Sequence, residues 1–345
     1  MFVCNRDVHE SGVMMGRSGQ LQRMLACCLA AAVMMCSPYT HALDVPGPLV
    51  DTDWLEKNIQ QVKILDIRQE LESFTEPAVL VRKRFTGDLR ISRLGAHIPG
   101  AALVDFLDIR TSRDIDERRV RYLLPEVSEF EELMKSWGVN DDDAIIIIYP
   151  GMSNSDATMA TRLYWQIKYF GHGNVAILNG GMARWLLEER AATLEDPGIV
   201  TGNWAARAIN QAIYADSKDV ADAISSKDVL LVDTRGPGLY LGAFKQPYVR
   251  ESGHIPGARI FPNELLTTNS PPVLFADPGD IRQLAGALGI DPDADMITYC
   301  NSGQWASGSW FVFHELLGNK NARVYDGSMH QWALERRAIT RMKME

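Results

Sequence analysis

Four stretches of the chain are nearly continuous apolar runs closed by polar residues: 62–68 (VKILDIR), 143–149 (DAIIIIY), 229–235 (VLLVDTR) and 295–299 (DMITY). Runs this short, without in-and-out alternation, predict strands covered on both faces. Between them the pattern takes the period of amphipathic helices over 125–137, 157–170 and 182–189, and again over 217–226, 278–288, 305–317 and 329–334. Strands alternating with helices predict an α/β fold whose sheets are mostly parallel, with helices on both faces.

The plan occurs twice. One strand ends in Asp66 and Arg68, the other in Asp233 and Arg235. Each is followed by a His-Ile-Pro-Gly turn, GAHIPGA at 95–101 and SGHIPGA at 252–258. The strands 143–149 and 295–299 come next, then segments 174–181 and 321–327, which lead to Trp185 and Trp332. Matching the two strands by their final tyrosines pairs Tyr149 with Tyr299 and sets Pro150 opposite Cys300. The organisation read from this is a leader at 1–42, a first domain at 43–195 and a connection at 196–215. A second domain follows at 216–345. The connection carries Pro197, Gly198 and Gly202 and has no clear period.

Composition narrows the class. Hydrophobic residues at 46% and charged residues at 23% mark a globular chain. A net charge of −9 without a long lysine or arginine run argues against nucleic acid as a partner. Residues 1–42 carry Arg17 and Arg23, an apolar stretch at 25–36, and Thr40-His41-Ala42 as a small-residue cleavage site. The apolar stretch is shorter than the roughly 20 residues that span a bilayer, so no permanent membrane span is expected. Export with cleavage near Ala42 is expected, to the periplasm if the source is bacterial. Cleavage would remove Cys4, Cys27, Cys28 and Cys36 and leave Cys300 as the sole cysteine. A lone thiol cannot serve as a staple, so its chemistry becomes the question.

Cys300 sits at the end of a predicted strand, followed by Asn301, Ser302, Gly303, Gln304 and Trp305 and then by a helical pattern. Sites in parallel sheets lie at the carboxyl ends of strands. Converging backbone amides and a helix N-terminus there favour a thiolate. Cys300 is therefore the candidate nucleophile, and Asn301 to Trp305 are candidate substrate-binding residues, with Gly303 supplying the turn. Trp305 is either a pocket wall or a packing residue. Asp233 and Arg235 read as a charge pair bracing the loop from below, with direct substrate contact as the other option. His254 and its counterpart His97 occur in both copies, which favours turn geometry, with a general-base role for His254 as the other option. Ser155 and Asp156 read as helix capping, with a contribution to the cleft as the other option. Asp141 to Asp143 lack further ligands at metal spacing and read as a solvated turn.

Taken in order, the Asp-x-Arg strand end, the His-Ile-Pro-Gly turn, the cysteine loop and the late glycine–tryptophan element resemble a two-domain rhodanese, a sulfurtransferase. The resemblance runs from about Leu43 to Trp332. It implies two rhodanese-like domains, the first inactive and the second catalytic through Cys300. It also implies ping-pong transfer: a donor, either small and of the thiosulfate or 3-mercaptopyruvate type or a protein-bound sulfur carrier, leaves a persulfide on Cys300. Cyanide, a thiol or a protein sulfur carrier then removes the sulfur. No metal and no organic cofactor are implied. Two fused copies supply their own interface, so a monomer is the expectation.

Rhodaneses that handle thiosulfate carry an arginine in an Arg-Tyr-Leu-Gly segment and a basic residue in the loop. Here Leu239 precedes Tyr240-Leu241-Gly242, and Asn301 and Ser302 are neutral, so the pocket is expected to be less positive. A cysteine phosphatase needs an arginine after five intervening residues to clamp phosphoryl oxygens; Ala306 stands there. The alternative reading is a non-catalytic persulfide carrier, or a sulfur- or metalloid-binding module of an exported pathway. Multiple-turnover kinetics separates it from an enzyme.

Overall fold

A computed structural model describes residues 43–342; the leader read at 1–42 lies outside them. The first half runs β1 (Leu49–Val50), α1 (Thr52–Asn58), β2 (Lys63–Arg68), β3 (Val79–Arg82), β4 (Leu89–Arg93), β5 (Ala102–Asp105), β6 (Thr111–Ile115), β7 (Arg118–Leu123), α2 (Val127–Ser136), β8 (Ile145–Ile148), α3 (Asn154–Tyr169), β9 (Val175–Leu178) and α4 (Gly181–Leu187). The second runs β10 (Tyr214–Ala215), α5 (Ser217–Ser226), β11 (Leu230–Asp233), α6 (Pro237–Leu241), β12 (Arg259–Ile260), α7 (Pro278–Ala287), β13 (Met296–Tyr299), α8 (Gln304–Trp310), β14 (Ala322–Tyr325) and α9 (Ser328–Leu334). The two five-stranded sheets have the orders β1-β9-β8-β2-β5 and β10-β14-β13-β11-β12. Every pairing in both is parallel. The sequence repeat is thus a repeat of topology.

Strand register corrects the internal alignment by one residue. Asp66 pairs with Ile148 in the first sheet, and Asp233 pairs with Tyr299 in the second. Tyr149 therefore occupies the position of Cys300, and Pro150 that of Asn301. The next layer agrees: Met182 N–H donates to the Tyr149 carbonyl, and Met329 N–H to that of Cys300. Matching tyrosine to tyrosine slipped because β13 ends in its aromatic residue while β8 ends one residue before it. The position equivalent to Cys300 still holds no thiol. Tyr149 is fully buried, and burial raises its phenol well above the ordinary value. Its hydroxyl donates to Val273 O at 2.7 Å, in the other half of the chain.

Three elements differ from the periodic reading. The helix predicted at 305–317 widens after Trp310 into π turns over Phe311–Leu316, with Leu317 N–H reaching Val312 O at 2.9 Å. Phe311, Val312, Phe313 and His314 are all buried, so four consecutive positions are enclosed and a single apolar stripe is not what the segment needs. The hairpins β3-β4 and β6-β7 are antiparallel additions to the first half. The polar content of 111–123 hid the second hairpin, where Val120 and Leu123 are the buried hydrophobic residues. The segment 196–215 is also packed: Trp204 is 1% exposed and lies edge-on to Phe130 at 5.7 Å.

The two halves meet through equivalent helices, α3 and α8. Thr161 and Ser307 hydroxyls lie 3.1 Å apart across the contact, and the Tyr164 ring sits edge-on to Phe311 at 4.9 Å. The contact is pseudo-symmetric. Asn179 Oδ1 accepts from Phe275 N at 3.0 Å, and its counterpart Asp326 accepts from Leu124 N at 2.8 Å. One apolar core runs through both halves, from Leu65 and Trp165 to Phe261 and Phe313. Removing either half would expose that core.

Candidate active site

Cys300 follows β13 at the carboxyl edge of the second sheet and is 3% exposed. Ser302 N–H points at its Sγ from 3.4 Å. The Ser328 hydroxyl lies beneath the loop and uses its full hydrogen-bonding capacity. It donates to Tyr325 O at 2.9 Å and accepts from Cys300 N–H at 3.0 Å and Gly303 N–H at 3.1 Å. The hydroxyl is held by strained backbone, since Ser328 has φ +48°. In the first half the equivalent residue is Gly181, with φ +55°. Glycine adopts that region freely, whereas serine does so at a cost of about 1–2 kcal/mol. The second domain therefore carries the strain in order to hold a hydroxyl under the cysteine loop.

The five loop residues divide by role. Ser302 supplies the amide on sulfur, and its hydroxyl lies 3.4 Å from Tyr248 OH. Gly303 caps α8 at φ +80°, where a Cβ would lie 2.5 Å from Arg162 Nη1. Asn301 Oδ1 faces Arg235 Nη1 at 3.4 Å. Gln304 turns toward the first half and donates to Thr158 Oγ1 at 3.2 Å and to Ser155 O at 3.3 Å. Trp305 is half-buried and packs against the shared core. The loop amides thus do not all face the sulfur: Ser328 takes two of them, one from Gly303. Asp156 caps α3, accepting from Met152 N and Ser153 N at 2.9 Å each.

The brace beneath the loop is the same in both halves. Arg235 reaches Asp233 at 2.8 and 2.6 Å and Gly253 O at 2.8 Å. Arg68 reaches Asp66 at 2.9 and 2.7 Å and Ala96 O at 2.6 Å. His254 stacks on Tyr240 and engages its carbonyl through Nδ1 at 2.7 Å. His97 does the same with Phe74, at 2.9 Å. These residues hold the turns.

Cations reach the site from the first half, which the sequence did not reveal. Arg162, on α3, pairs with Asp326 at 2.5 Å with both side chains fully buried. Arg110, just before β6, stacks on Phe106 at 3.9 Å and lies 5.0 Å from the Tyr122 ring centroid. Burial, then the charge of Arg162, push Arg110 down to about 10, while Tyr122, Tyr248 and Cys300 act to raise it. It remains charged at neutral pH. Tyr122 itself has φ +68°, an outlier for a bulky residue. Its ring meets Tyr248 edge-on at 5.1 Å, and His330 lies 5.7 Å beyond. Burial raises the Tyr248 phenol against the Ser302 hydrogen bond. Leu239 is buried and neutral, while the 106–123 segment brings Arg110 toward the loop from the other half. Pairing of such distant segments leaves no periodic signal in the chain.

A family model described as a rhodanese-like domain matches residues 51–188 and 216–335. A Saccharopolyspora erythraea protein provisionally named a thiosulfate sulfurtransferase is 31% identical over 82% of this chain and 92% of its own length. The sulfur carrier protein TtuD of Thermus thermophilus is 30% identical over 85% of this chain and 95% of its own. Among solved structures, the 3-mercaptopyruvate sulfotransferase SseA of Escherichia coli superposes with TM-score 0.65 at 23% identity, over 82% of this chain and 98% of that one. EanB in complex with ergothioneine gives 0.71 at 18%, over 86% and 71%.

Proposed function

The chain belongs to the rhodanese family and is a sulfurtransferase, and we propose that it moves sulfane sulfur through a persulfide on Cys300. In the first half-reaction the thiolate attacks the outer sulfur of thiosulfate. A new S–S bond forms at Cys300, the old one breaks, and sulfite leaves with the electron pair. In the second, a thiol, dithiol or cyanide attacks the outer persulfide sulfur, and the Cys300 thiolate leaves. The carrying observation is a sulfur that faces a donated amide, in a loop whose backbone Ser328 holds. Donors aimed at negative charge are what thiolate and persulfide both need. Cys300→Ser is expected to abolish transfer at unchanged stability; a serine variant with wild-type turnover contradicts the reading.

Burial of the thiol favours a slim donor over a bulky protein one. The likeness to a relative named as a sulfur carrier supports a protein acceptor as a second reading. Saturable transfer from a loaded enzyme to a small dithiol tests the first reading; loading without turnover supports the second. We further propose that residues 1–42 direct export. N-terminal sequencing of secreted protein tests this, and retention of 25–36 refutes cleavage.

A further inference from the structure

The hairpin β3-β4 has no counterpart in the second half, where the chain between β11 and β12 forms α6 instead. Its root is fixed: Ile91 is buried, and its cross-strand partner Leu80 packs against the core of the first half. Beyond the root the ribbon leaves the core. Every residue from Arg82 to Asp88 is exposed, and Phe85 in the turn is 96% exposed. The turn closes on itself, with Lys83 N–H donating to Asp88 O at 2.8 Å and Gly87 N–H to Lys83 O at 2.9 Å. Around Phe85 stand five cations, Arg82, Lys83, Arg84, Arg90 and Arg93, and a single acid, Asp88. Among the described residues only Arg93 of the five reaches a carboxylate, Glu76 at 3.8 Å. A chain of net charge −9 thus gathers positive charge on one projecting ribbon. A lone exposed apolar residue is ordinary. This one sits among like charges that repel one another, so the fold gains nothing from the grouping.

We infer that the β3-β4 hairpin docks the protein peripherally on an anionic membrane surface, its cations on the lipid headgroups and Phe85 in the interface between headgroups and acyl chains. The shape favours a lipid plane as the occupant. The apolar element is a single ring on a convex tip, which a bilayer accepts without a preshaped pocket. The cations come from both strands and the turn, so several meet one surface together. Their aliphatic stems can lie beside the ring while the charged heads stay among the headgroups. Attraction to anionic lipid and burial of an aromatic ring then add, each being weak alone. The attraction is screened over a Debye length, so the contact is reversible by salt. The remaining side-chain bonds of these cations stay local, from Arg82 to Gly87 O at 3.2 Å and from Arg93 to Pro77 O at 3.3 Å. Docking therefore leaves the cysteine loop and its braces unaltered.

The test is co-sedimentation of the full chain with vesicles of phosphatidylcholine alone and of phosphatidylcholine and phosphatidylglycerol in equal parts. Wild type is expected to bind the mixed vesicles more tightly and to lose that preference as salt is raised. The triple variant Lys83→Gln, Arg84→Gln, Arg90→Gln should bind them about 100-fold more weakly, about fivefold for each cation. Phe85→Ser should weaken binding by at least about tenfold. Both variants should keep the thiosulfate turnover and melting temperature of wild type, because the substituted side chains are exposed. All these proteins carry the same residues 1–42, so the differences between them belong to the hairpin. Equal partitioning of wild type and both variants overturns the inference, and so does equal binding of wild type to neutral and anionic vesicles. A wild type that ignores the mixed vesicles, yet is held by immobilised polyglutamate and released by the triple substitution, also overturns it and assigns the hairpin to an acidic protein.

Discussion

Replacing Ser328 by alanine and by glycine separates the hydroxyl from the backbone strain that holds it. In alanine the Cys300 and Gly303 amides, now 3.0 and 3.1 Å from Ser328 Oγ, lose their buried acceptor. Each unsatisfied donor costs about 1–3 kcal/mol, so the loss of stability is about 2–6 kcal/mol. Glycine loses the same two bonds but relaxes at φ +48°, recovering about 1–2 kcal/mol of strain. Extra freedom of the unfolded chain takes back about 0.4–1 kcal/mol. The glycine variant is thus expected to be as stable as the alanine variant or more so, by up to about 1.5 kcal/mol. Both should lose activity, since a loop displaced by an ångström costs on the order of 100-fold. Urea denaturation gives the first ranking and kcat/KM for thiosulfate the second. A glycine variant clearly less stable than the alanine one, or an alanine variant with wild-type turnover, refutes the reasoning. Gly181→Ser supplies the control: a Cβ there would overlap the Tyr149 carbonyl, so stability should fall without a cysteine loop nearby to explain it.

Breaking the Arg162–Asp326 pair with Arg162→Met should cost about 3–5 kcal/mol, because Asp326 stays buried with its charge uncompensated. Adding Asp326→Asn should restore a large part of that loss; strictly additive denaturation energies would contradict the coupling. Gly303→Ala combines φ +80° with a Cβ against Arg162 and should destabilise by at least about 1 kcal/mol, with slower transfer; wild-type values in both would be contrary. Glu315 responds to acid. Burial alone would raise it, but hydrogen bonding and charge from His314, with Lys168 and Lys320, bring it down to about 2. A depressed carboxylate stabilises the fold above its unfolded value near 4.5 and loses that contribution as pH falls toward 2. Glu315→Gln should therefore remove up to about 3 kcal/mol at neutral pH and flatten the acid limb of the stability curve; an unchanged acid limb contradicts it.

The fold was legible in the sequence because buried parallel strands write themselves as apolar runs, and because two copies corroborate each other. Asp233, Arg235 and the two histidines could be read for the same reason: they recur at fixed places in the repeat. Cys300 stood out by position and by isolation. What escaped detection does not repeat. Ser328 looks like an ordinary helix-start residue until its φ is known. Arg110 just precedes, and Tyr122 lies in, a hairpin found in the first half alone, whose polar side chains mask its alternation. Their proximity to Cys300 is created by a domain interface, through pairings 202 residues apart such as Leu124 with Asp326. The one-residue slip at Tyr149 shows the limit from the other side: residue identity suggested one alignment, and hydrogen-bond register to Asp66 and Asp233 imposed another.

The central claim is tested most directly by intact-mass and peptide analysis of Cys300 after brief incubation with thiosulfate, followed by a dithiol. The account predicts a gain of one sulfur atom on the Cys300 peptide, lost again on dithiol addition and absent from Cys300→Ser. Turnover with an unmodified Cys300 throughout, or sulfur carried on another residue, would contradict it.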